Sequence, residues 1–551
     1  MTSLALPGAP YFSRQEGVLF CEELALQALA EQHGTPLFVY SKAAMLGALA
    51  PYQKAFAGRD ALVHYAMKAN SSLGVLQVFA QAGCGFDIVS GGELSRVLAA
   101  GGQADKVIFS GVGKTRAEMR QALDAGIACF NVESEAELDV LSAVALSCGK
   151  VAPVSIRVNP NVDPQTHPYI STGLKGNKFG IAHEDTLRCY QHAASLPGLK
   201  VVGIDCHIGS QITSAGPYLD ALDKVLDLVQ AIEAAGVPIP HLDFGGGLGI
   251  NYNGDTPPAA DALWAQLLSR LDARGFGGRR LMIEPGRSLV GNAGVCLTEV
   301  LYLKPGEQKN FCIIDAAMND LPRPAMYQAF HQIVPLAQRE GEATVYDVVG
   351  PVCESGDWIG RDRSLAVQAG DHVAVMSAGA YCMSMASNYN TRGRAAEVLV
   401  DFLEAADEVE DMGAGVGAAG CGAKMCAAAE GARFVDEAAG GFRVEEGAGD
   451  GGVGGEGCSA GGAEGVGGDE GFCVGEVWGF TGELEMAAVG AEGAGALEGA
   501  GCEVGVDFSN LAGGVEFRGG EWIGSRHGIR DFGGGAFFGK DGGFLPAGCR
   551  R

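Results

Sequence analysis

Residues 61–70, ALVHYAMKAN, join a short apolar run to a lysine. The run Ala61–Met67 has the length and the aromatic and β-branched content that are typical of a buried strand. Lys68 follows it, and a lysine at the end of an apolar strand is costly to bury unless it is paired or used. Its amine can form a Schiff base with an aldehyde. Taken alone, the segment fits a lysine that merely reaches solvent better than a functional one.

The same pattern of a short apolar run followed by a helical stretch recurs along the next 220 or so residues. The segment Tyr218–Ala235 has apolar residues at helical spacing, and Ser134–Ala145 is similar. Eight such units predict an α/β fold with a (β/α)8 barrel over residues 35–290, with an open doubly wound sheet as the alternative. The seven further predicted strands are Gly85–Val89, Lys106–Ser110, Ala128–Val132, Val154–Val158, Val201–His207, His241–Phe244 and Leu281–Glu284.

After Val290 the pattern changes to apolar runs separated by loops with little helix between them. Such a pattern indicates a mainly β domain. We assign residues 291–401 to this C-terminal domain and expect residues 10–34 to join it. The runs are GVCLTEVLYLK (294–304), NFCIIDAAM (310–318), ATVYDVVGPVC (343–353) and DHVAVMSAGAY (371–381).

The last part of the chain has a different composition. The 551 residues include 86 glycines and carry a net charge of −27, and residues 401–551 hold 43 of those glycines and −18 of that charge. Residues 402–551 show no regular period and give no confident domain. Three interpretations stay open: an acidic disordered extension, a divergent domain, or out-of-frame translation of GC-rich DNA. The dominance of Gly, Ala, Glu and Val favours the last.

Composition also excludes several classes of function. The modest negative charge of residues 1–400 argues against nucleic acid as a partner, because phosphate binding needs a basic surface. No window reaches about 18 uninterrupted apolar residues, so we expect no membrane partner. The N-terminus lacks the features of a signal peptide. Ten irregularly spaced cysteines precede residue 401, which fits a cytoplasmic protein and predicts no metal site.

Three more predicted strands end in residues with possible chemistry. Gly245–Gly249 can close backbone amides around an anion, although such turns also occur for steric reasons. Glu284 and Arg287 either pair with each other or bind separate ligands, a ring nitrogen and a carboxylate. His207 can stack on a flat ring but is more often structural at a strand end, and Ser210 offers a hydroxyl to a phosphate. All would meet at the C-terminal rim of a barrel, where barrel active sites form.

Together the motifs resemble the alanine-racemase-like, fold-type III pyridoxal-phosphate decarboxylases, and within that group the diaminopimelate decarboxylases. The resemblance covers roughly residues 10–400, with the motifs in the expected order. They are YAMKAN (65–70), FDIVSGGEL (86–94), HIGSQ (207–211), DFGGGLG (243–249), EPGR (284–287), RPAMY (323–327), VCESGD (352–357) and GAYCMSM (379–385).

This resemblance implies a cofactor, pyridoxal 5'-phosphate, and a set of residues that bind it. Lys68 would hold the cofactor covalently, His207 would stack on its ring, and Glu284 would keep the pyridine nitrogen protonated. Asp87 and Glu93 would help to shape the barrel mouth. The phosphate and the rest of the cofactor would contact Ser210, Gly245, Gly246, Gly247, Pro285, Gly286, Arg287 and Tyr381.

The resemblance also implies an activity, the decarboxylation of meso-2,6-diaminopimelate to L-lysine and CO2. This substrate has a second amino-acid end, and the extra cation and phenol of RPAMY suit it. The residues implied to bind it are Arg287, Arg323, Tyr327, Glu354 and Tyr381. The alternatives are a decarboxylase of ornithine, arginine or carboxynorspermidine, or an inactive frameshifted relic.

Finally, the resemblance implies a homodimer with shared active sites. Cys353 would come from the neighbouring subunit and reprotonate the α-carbon of the substrate. Tyr381 is also expected to reach the site across the interface.

Overall fold

The computed structural model describes residues 6–401, apart from residues 165, 168, 169, 171, 174 and 175. The interpretations of residues 402–551 therefore lie outside the described residues. The strands are β1 (Phe12–Gln15), β2 (Val18–Cys21), β3 (Leu24–Ala25), β4 (Leu37–Ser41), β5 (Ala61–Ala66), β6 (Gly85–Ile88), β7 (Val107–Phe109), β8 (Cys129–Val132), β9 (Ala152–Asn159), β10 (Ile181–Ala182), β11 (Leu199–Asp205), β12 (His241–Asp243), β13 (Arg280–Ile283), β14 (Gly294–Lys304), β15 (Asn310–Ile314), β16 (Ile333–Pro335), β17 (Thr344–Val349), β18 (Trp358–Leu365), β19 (His372–Val375) and β20 (Ala396–Val400). The α-helices are α1 (Leu26–His33), α2 (Lys42–Ala55), α3 (Leu73–Gln81), α4 (Gly91–Ala99), α5 (Arg116–Ala125), α6 (Glu135–Ser147), α7 (Thr186–Ser195), α8 (Gly216–Ala234), α9 (Ala260–Ala273), α10 (Arg287–Val290) and α11 (Arg323–Tyr327).

Eight parallel strands close into a barrel. Their order is β5, β6, β7, β8, β9, β11, β12 and β13, and β13 pairs with β5 to complete the ring. The short strand β10 adds only a two-residue pairing to β9. The prediction of a (β/α)8 barrel is confirmed, and each predicted barrel strand overlaps one of these eight.

Amphipathic helices cover the barrel because each has one apolar face. The helix α8 buries Leu222, Val225, Leu226 and Val229 against the strands, at the spacing of the predicted helix. Another barrel helix, α5, begins with a capping box between Thr115 and Glu118. The apolar spacing and the capping box agree with the packing in the structure, and for that reason the sequence could predict the helices.

A second, mixed sheet forms the mainly β domain. Its strands run in the order β16, β19, β14, β15, β17 and β18, and β4 adds to β14 and carries β20 on its other side. The N-terminal strands β1 to β3 form a small sheet of their own, and Val18 bridges to Ala337 of the larger domain. The predicted β domain is confirmed.

The strand β4 shows how the two domains share the chain near residue 35. The predicted boundary gives Leu37–Ser41 to the barrel, but β4 pairs only with strands of the mixed sheet. The helix α2, which follows directly, packs on α9 and α10 beside the barrel. The boundaries themselves stay a prediction, with β4 as an exception to the proposed start at residue 35.

Two contacts tie the β domain to the end of β5. The amide of Tyr381 donates to the carbonyl oxygen of Ala69 at 2.7 Å, and the Asn70 side chain donates to the carbonyl of Gly379 at 3.1 Å. The loop after β19 therefore lies beside the turn that carries Lys68. Separately, none of the helices in the described part of the chain combines the length and the apolar character needed to cross a membrane.

Candidate active site

Lys68 lies in a short helical turn directly after β5, and its amine contacts the buried carboxylate of Asp87 on the neighbouring strand β6. About a third of the lysine side chain is exposed. Burial acts to lower the pKa of Lys68, but the negative charges of Asp87 and Glu284 outweigh it and raise the pKa above the ordinary value. The lysine is thus charged, paired and accessible at the barrel mouth.

Three carboxyl groups meet inside the barrel below this lysine. Asp205, Asp243 and Glu284 come from the ends of β11, β12 and β13, and one oxygen of each lies within 4.8 Å of the others. Burial, together with the negative charges of neighbouring carboxylates such as Asp87, raises their pKa values, for Asp205 to about 7. Three carboxylates this close cannot all ionise, so the cluster retains at least one proton near neutral pH.

A buried arginine faces this acidic cluster. Arg157 at the end of β9 donates to Glu133 at 3.2 Å, and its guanidinium lies over the ring of Phe179. Burial acts to lower its pKa, but the charges of Glu133, Asp205 and Glu284 raise it overall. Asn131 donates to the Oε1 atom of Glu284 at 3.3 Å. These polar partners hold the Glu284 carboxyl in the centre of the barrel mouth.

The glycine-rich turn after β12 packs tightly against its neighbours. A Cβ on Gly246 would lie 2.1 Å from the carbonyl oxygen of Glu284, and one on Gly247, which has φ +102°, would lie 2.3 Å from that of Gly209. Only glycine fits here. The adjacent loop is packed less tightly, with 3.1 Å between the Cβ position of Gly286 and the carbonyl oxygen of Ala66.

His207 borders the same turn. Its Nδ1 atom accepts a hydrogen bond from the amide of Gly246 at 3.1 Å, and a Cβ on Gly245 would lie 2.8 Å from that atom. Burial, with help from Arg157 and Lys68, lowers the pKa of His207 well below the ordinary value. The imidazole is therefore neutral and fixed in orientation, as a stacking ring requires. Pro285 completes the turn by accepting from the Ala66 amide at 3.1 Å.

Glu284 and Arg287 are not paired with each other. Arg287 donates to the hydroxyl of Ser210 at 3.0 and 3.2 Å and to the Tyr252 hydroxyl at 2.8 Å. The two residues therefore keep separate surroundings, which speaks against the first of the two alternatives, a pair with each other; the separate ligands of the second stay a prediction. No ion pair to Arg287 forms among the described residues.

Arg323 opens the short helix α11 and lies close to Arg287. Its guanidinium stacks on the Tyr252 ring at 4.4 Å and donates to His331 at 2.7 Å. Tyr327, at the other end of α11, is half-buried with its ring 6.0 Å from that of His167. The structure thus brings two buried arginines into contact with one aromatic residue, Tyr252.

The expected position of Tyr381 across an interface is wrong. Its ring lies under the guanidinium of Arg287 in the same chain, 4.7 Å from ring centre to the guanidinium carbon. The cause is the backbone bond to Ala69, which fixes the loop after β19 onto its own barrel. Tyr381 belongs to the barrel mouth of its own chain.

Cys353 and Glu354 are not brought to this mouth. Both are exposed in the loop between β17 and β18, where the Cys353 amide donates to Asn390 at 2.9 Å and Asp357 holds the amides of Met318 and Val352. Within the part of the chain described, no hydrogen bond or ion pair links Cys353 or Glu354 to Lys68. The loop is ordered by its own domain and presents both side chains outward.

Five residues of the site were missed at the sequence level. Asp205, Asp243 and Arg157 each lie within the last three residues of a predicted strand, and a charged residue at such a position in an apolar run was a signal that could have found them. For Tyr252 and His331 there was no signal, because each lies in an irregular segment and meets the site only through the folding of the chain.

The arrangement can accommodate a flat aldehyde cofactor with a phosphate, such as pyridoxal phosphate. The fit rests on the chemistry of the donors. Lys68 offers an amine, His207 a neutral imidazole, and Glu284 a carboxyl group in a cluster that shares protons. The glycine turns leave no room for side chains, and their backbone amides suit an anion.

Comparison with known proteins identifies the family. The profile described as "Pyridoxal-dependent decarboxylase, pyridoxal binding domain" matches residues 43–291. The diaminopimelate decarboxylase of Neisseria meningitidis serogroup B is 55% identical over 388 residues, which is 70% of this chain and 92% of that protein. That of Pseudomonas aeruginosa is 56% identical over 390 residues, 71% of this chain and 93% of that one.

Solved structures agree with the sequence matches. Diaminopimelate decarboxylase from Helicobacter pylori, complexed with L-lysine, has 40% identity and a TM-score of 0.65, covering 68% of this chain and 94% of that one. The enzyme from M. jannaschii, also in complex with L-lysine, has 39% identity and a TM-score of 0.67, covering 71% and 93%. The chain therefore belongs to the diaminopimelate decarboxylase family of pyridoxal-dependent decarboxylases.

Proposed function

We propose that this chain decarboxylates meso-2,6-diaminopimelate to L-lysine and CO2 with pyridoxal phosphate as its cofactor. The choice of substrate rests on one observation. Arg287 and Arg323 are both buried against Tyr252, and neither forms an ion pair within the described residues. Two uncompensated guanidinium groups are costly unless a ligand supplies negative charge. A substrate with two carboxylates supplies it.

The cofactor would be held by the residues around Lys68. Lys68 would attach to its aldehyde, His207 would stack on its ring, and its phosphate would lie among Ser210, Gly286, Tyr381 and the glycine turn. Pro285 and Arg287 would border it. When bound, pyridoxal phosphate supplies an electron sink for the electrons left at the α-carbon.

Side chains of this protein would hold, accept and donate the protons of the reaction. The Glu284 carboxyl would hold a proton at the pyridine nitrogen. The carboxyls of Asp205 and Asp243 would share the remaining protons of the cluster with Glu284. Asp87 would accept the proton that the ammonium group of Lys68 must lose before the amine can react. The thiol of Cys353 would return a proton to the α-carbon.

The substrate would be bound at both of its ends. Arg287, Arg323, Tyr327 and Tyr381 would surround the carboxylates, and Glu354 would accept the distal ammonium group. Because Cys353 and Glu354 face away from their own barrel, we propose that a second copy supplies them, as a homodimer with two shared sites. The ten free thiols in the described residues are consistent with a cytoplasmic location, which is also part of this proposal.

The test measures CO2 release from meso-diaminopimelate, ornithine and arginine by the full chain supplied with pyridoxal phosphate. We expect release from diaminopimelate with a kcat/KM at least about a hundredfold above the others, because ornithine leaves one buried arginine unpaired. A preference for ornithine or arginine would refute the proposed substrate. A protein without any visible absorption from bound cofactor would favour an inactive relic.

A further inference from the structure

One hydrogen bond and one stacking contact with an aromatic ring hold Arg323 in place. The residue is 6% exposed, its Nη1 atom lies 2.7 Å from the Nε2 atom of His331, and its guanidinium stacks on Tyr252. Its Nε atom is buried and has no hydrogen-bond partner in the described residues. Because a guanidinium has five N–H donors, this arrangement leaves donor capacity free for a ligand.

The protonation of His331 follows from its two partners. A guanidinium can only donate, so the Nε2 atom of His331 must accept. Its Nδ1 atom lies 2.9 Å from the carbonyl oxygen of Met376, which can only accept, so Nδ1 must carry the proton. His331 is fully buried and therefore holds one fixed tautomer of a neutral ring.

Tyr252 fixes the geometry from the other side. Its ring meets His331 edge to face at 5.4 Å, and its hydroxyl accepts from Arg287 at 2.8 Å. Both arginines thus contact the same tyrosine, although their like charges repel. Among the described residues no hydrogen bond, ion pair or ring contact joins Tyr252 or His331 to Lys68, so we expect their effect on the reaction to pass through the arginines.

We propose that His331 is a positioning residue for substrate specificity, which uses its Nε2 lone pair to aim Arg323 at the second carboxylate of the substrate, with Tyr252 as the stacking surface. This rests on the proposed function, in which Arg323 binds that carboxylate. Without the lone pair, the guanidinium can rotate and its free donors no longer converge on one place. The second carboxylate is remote from the bond that breaks, so its loss weakens binding rather than chemistry.

The first experiment compares His331→Leu and His331→Gln in the full chain, with His192→Leu as a control. The control removes a histidine that bonds to Asp139 on the surface. We expect His331→Leu to raise KM for meso-diaminopimelate roughly tenfold to a hundredfold, the range for a lost hydrogen bond to a charged group. The change in kcat should stay within about threefold, and the absorbance of bound cofactor should be unchanged.

The glutamine variant separates positioning from packing. A glutamine side chain can put a carbonyl oxygen near the former Nε2 position, so we expect it to recover most of the affinity lost in the leucine variant. The inference is overturned by an unchanged KM, by a loss that falls on kcat or on cofactor binding instead, or by a glutamine variant no better than leucine.

A binding experiment keeps this inference separate from the proposed function. Isothermal titration of pimelate, a dicarboxylate without amines, into the parent and the His331→Leu chain needs no turnover. Weaker pimelate binding in the variant supports the positioning role even if the parent releases no CO2 from diaminopimelate, a result that would refute the proposed function alone. Equal binding in both chains, or no binding to the parent, overturns the role of His331.

Discussion

At the residue scale, the site is a set of buried charged groups, most of which have a partner that compensates the charge or shares a proton. Lys68 meets Asp87, Arg157 meets Glu133, and the carboxyls of Asp205, Asp243 and Glu284 share protons. Each arrangement follows from the high free energy of an isolated charge away from water. The exceptions are Arg287 and Arg323, and these exceptions indicate where negative ligands bind.

The role proposed for Lys68 can be tested without removing its charge. Lys68→Arg keeps a cation beside Asp87, but a guanidinium does not attach to an aldehyde. We expect the variant to keep the melting temperature of the parent within a few degrees and to lose CO2 release by about a thousandfold or more, as for the loss of a covalent catalytic group. Circular dichroism and the activity assay check this, and activity close to that of the parent would contradict it.

A second prediction at this scale concerns acid stability. His241, at the start of β12, is buried beside Gly203, and burial with the charge of Arg280 lowers its pKa to about 4. Between about pH 6.5 and 4 the unfolded chain binds a proton that the folded chain does not. The free energy of unfolding therefore falls as the pH falls through this range, by about 3 kcal/mol from this group.

Replacing this histidine removes that contribution. We expect His241→Leu to show a flatter dependence of the unfolding free energy on pH between 6.5 and 4 than the parent, whatever its stability at neutral pH. His192→Leu is the control for the exchange of a histidine for a leucine, because His192 is only half-buried. Parallel curves for the parent and His241→Leu, from urea unfolding at each pH, would show the prediction to be wrong.

At the scale of elements, the turns after β12 and β13 bring backbone segments into contact. Gly246 touches the carbonyl of Glu284, and the amide of Glu284 donates to the carbonyl of Gly245 at 2.7 Å. A strand end and a turn thus position each other, and the carboxyl of Glu284 depends on both. The glycine at position 246 therefore affects the position of Glu284, which lies 38 residues later in the chain.

A methyl group at Gly246 should disturb that contact. We expect Gly246→Ala to destabilise the fold by about 1–3 kcal/mol, as overpacking does, and to weaken binding of pyridoxal phosphate. Gly278→Ala is the matched control, because no atom lies within 4 Å of its Cβ position. Urea unfolding and a fluorescence titration with the cofactor measure both effects. Equal behaviour of the two variants would count against a tight turn at Gly246.

At the scale of the whole molecule, the chain divides the candidate site between two places. Lys68, Glu284, Arg287 and Tyr381 share one barrel mouth, whereas the loop with Cys353 and Glu354 is held by Asp357 and Asn390 in the β domain. One copy therefore presents a barrel mouth and a separate exposed loop. In the homodimer proposed above, each copy would supply its loop to the partner's barrel.

Mixing two inactive variants tests this division. Lys68→Ala damages the barrel mouth and Cys353→Ala damages the loop, so half the sites of a mixed dimer escape both changes. After unfolding and refolding together, we expect about a quarter of the parent activity, from random pairing in a twofold dimer. Lys68→Ala mixed with Glu284→Ala is the control and should stay inactive, since both residues belong to one mouth. No recovery in the first mixture would contradict a shared site.

The sequence by itself determined the barrel, because apolar runs at regular spacing and capped amphipathic helices are local properties. It also placed Lys68, His207, Gly245 and Glu284 on one rim, because parallel strands in a closed barrel end on the same side. Only the tertiary structure decided which groups surround them. Tyr252 and His331 reach Arg323 from segments about 70 and 8 positions away.

The same distinction explains the error about Tyr381. Which barrel its ring enters depends on the path of a loop, and that path is fixed by one backbone bond to Ala69, more than 300 residues earlier. The strand β4 joined the mixed sheet for the same kind of reason, its pairing with β14 and β20. Local sequence specifies strands and their ends, whereas the partner of each strand and side chain is chosen by contacts between distant segments.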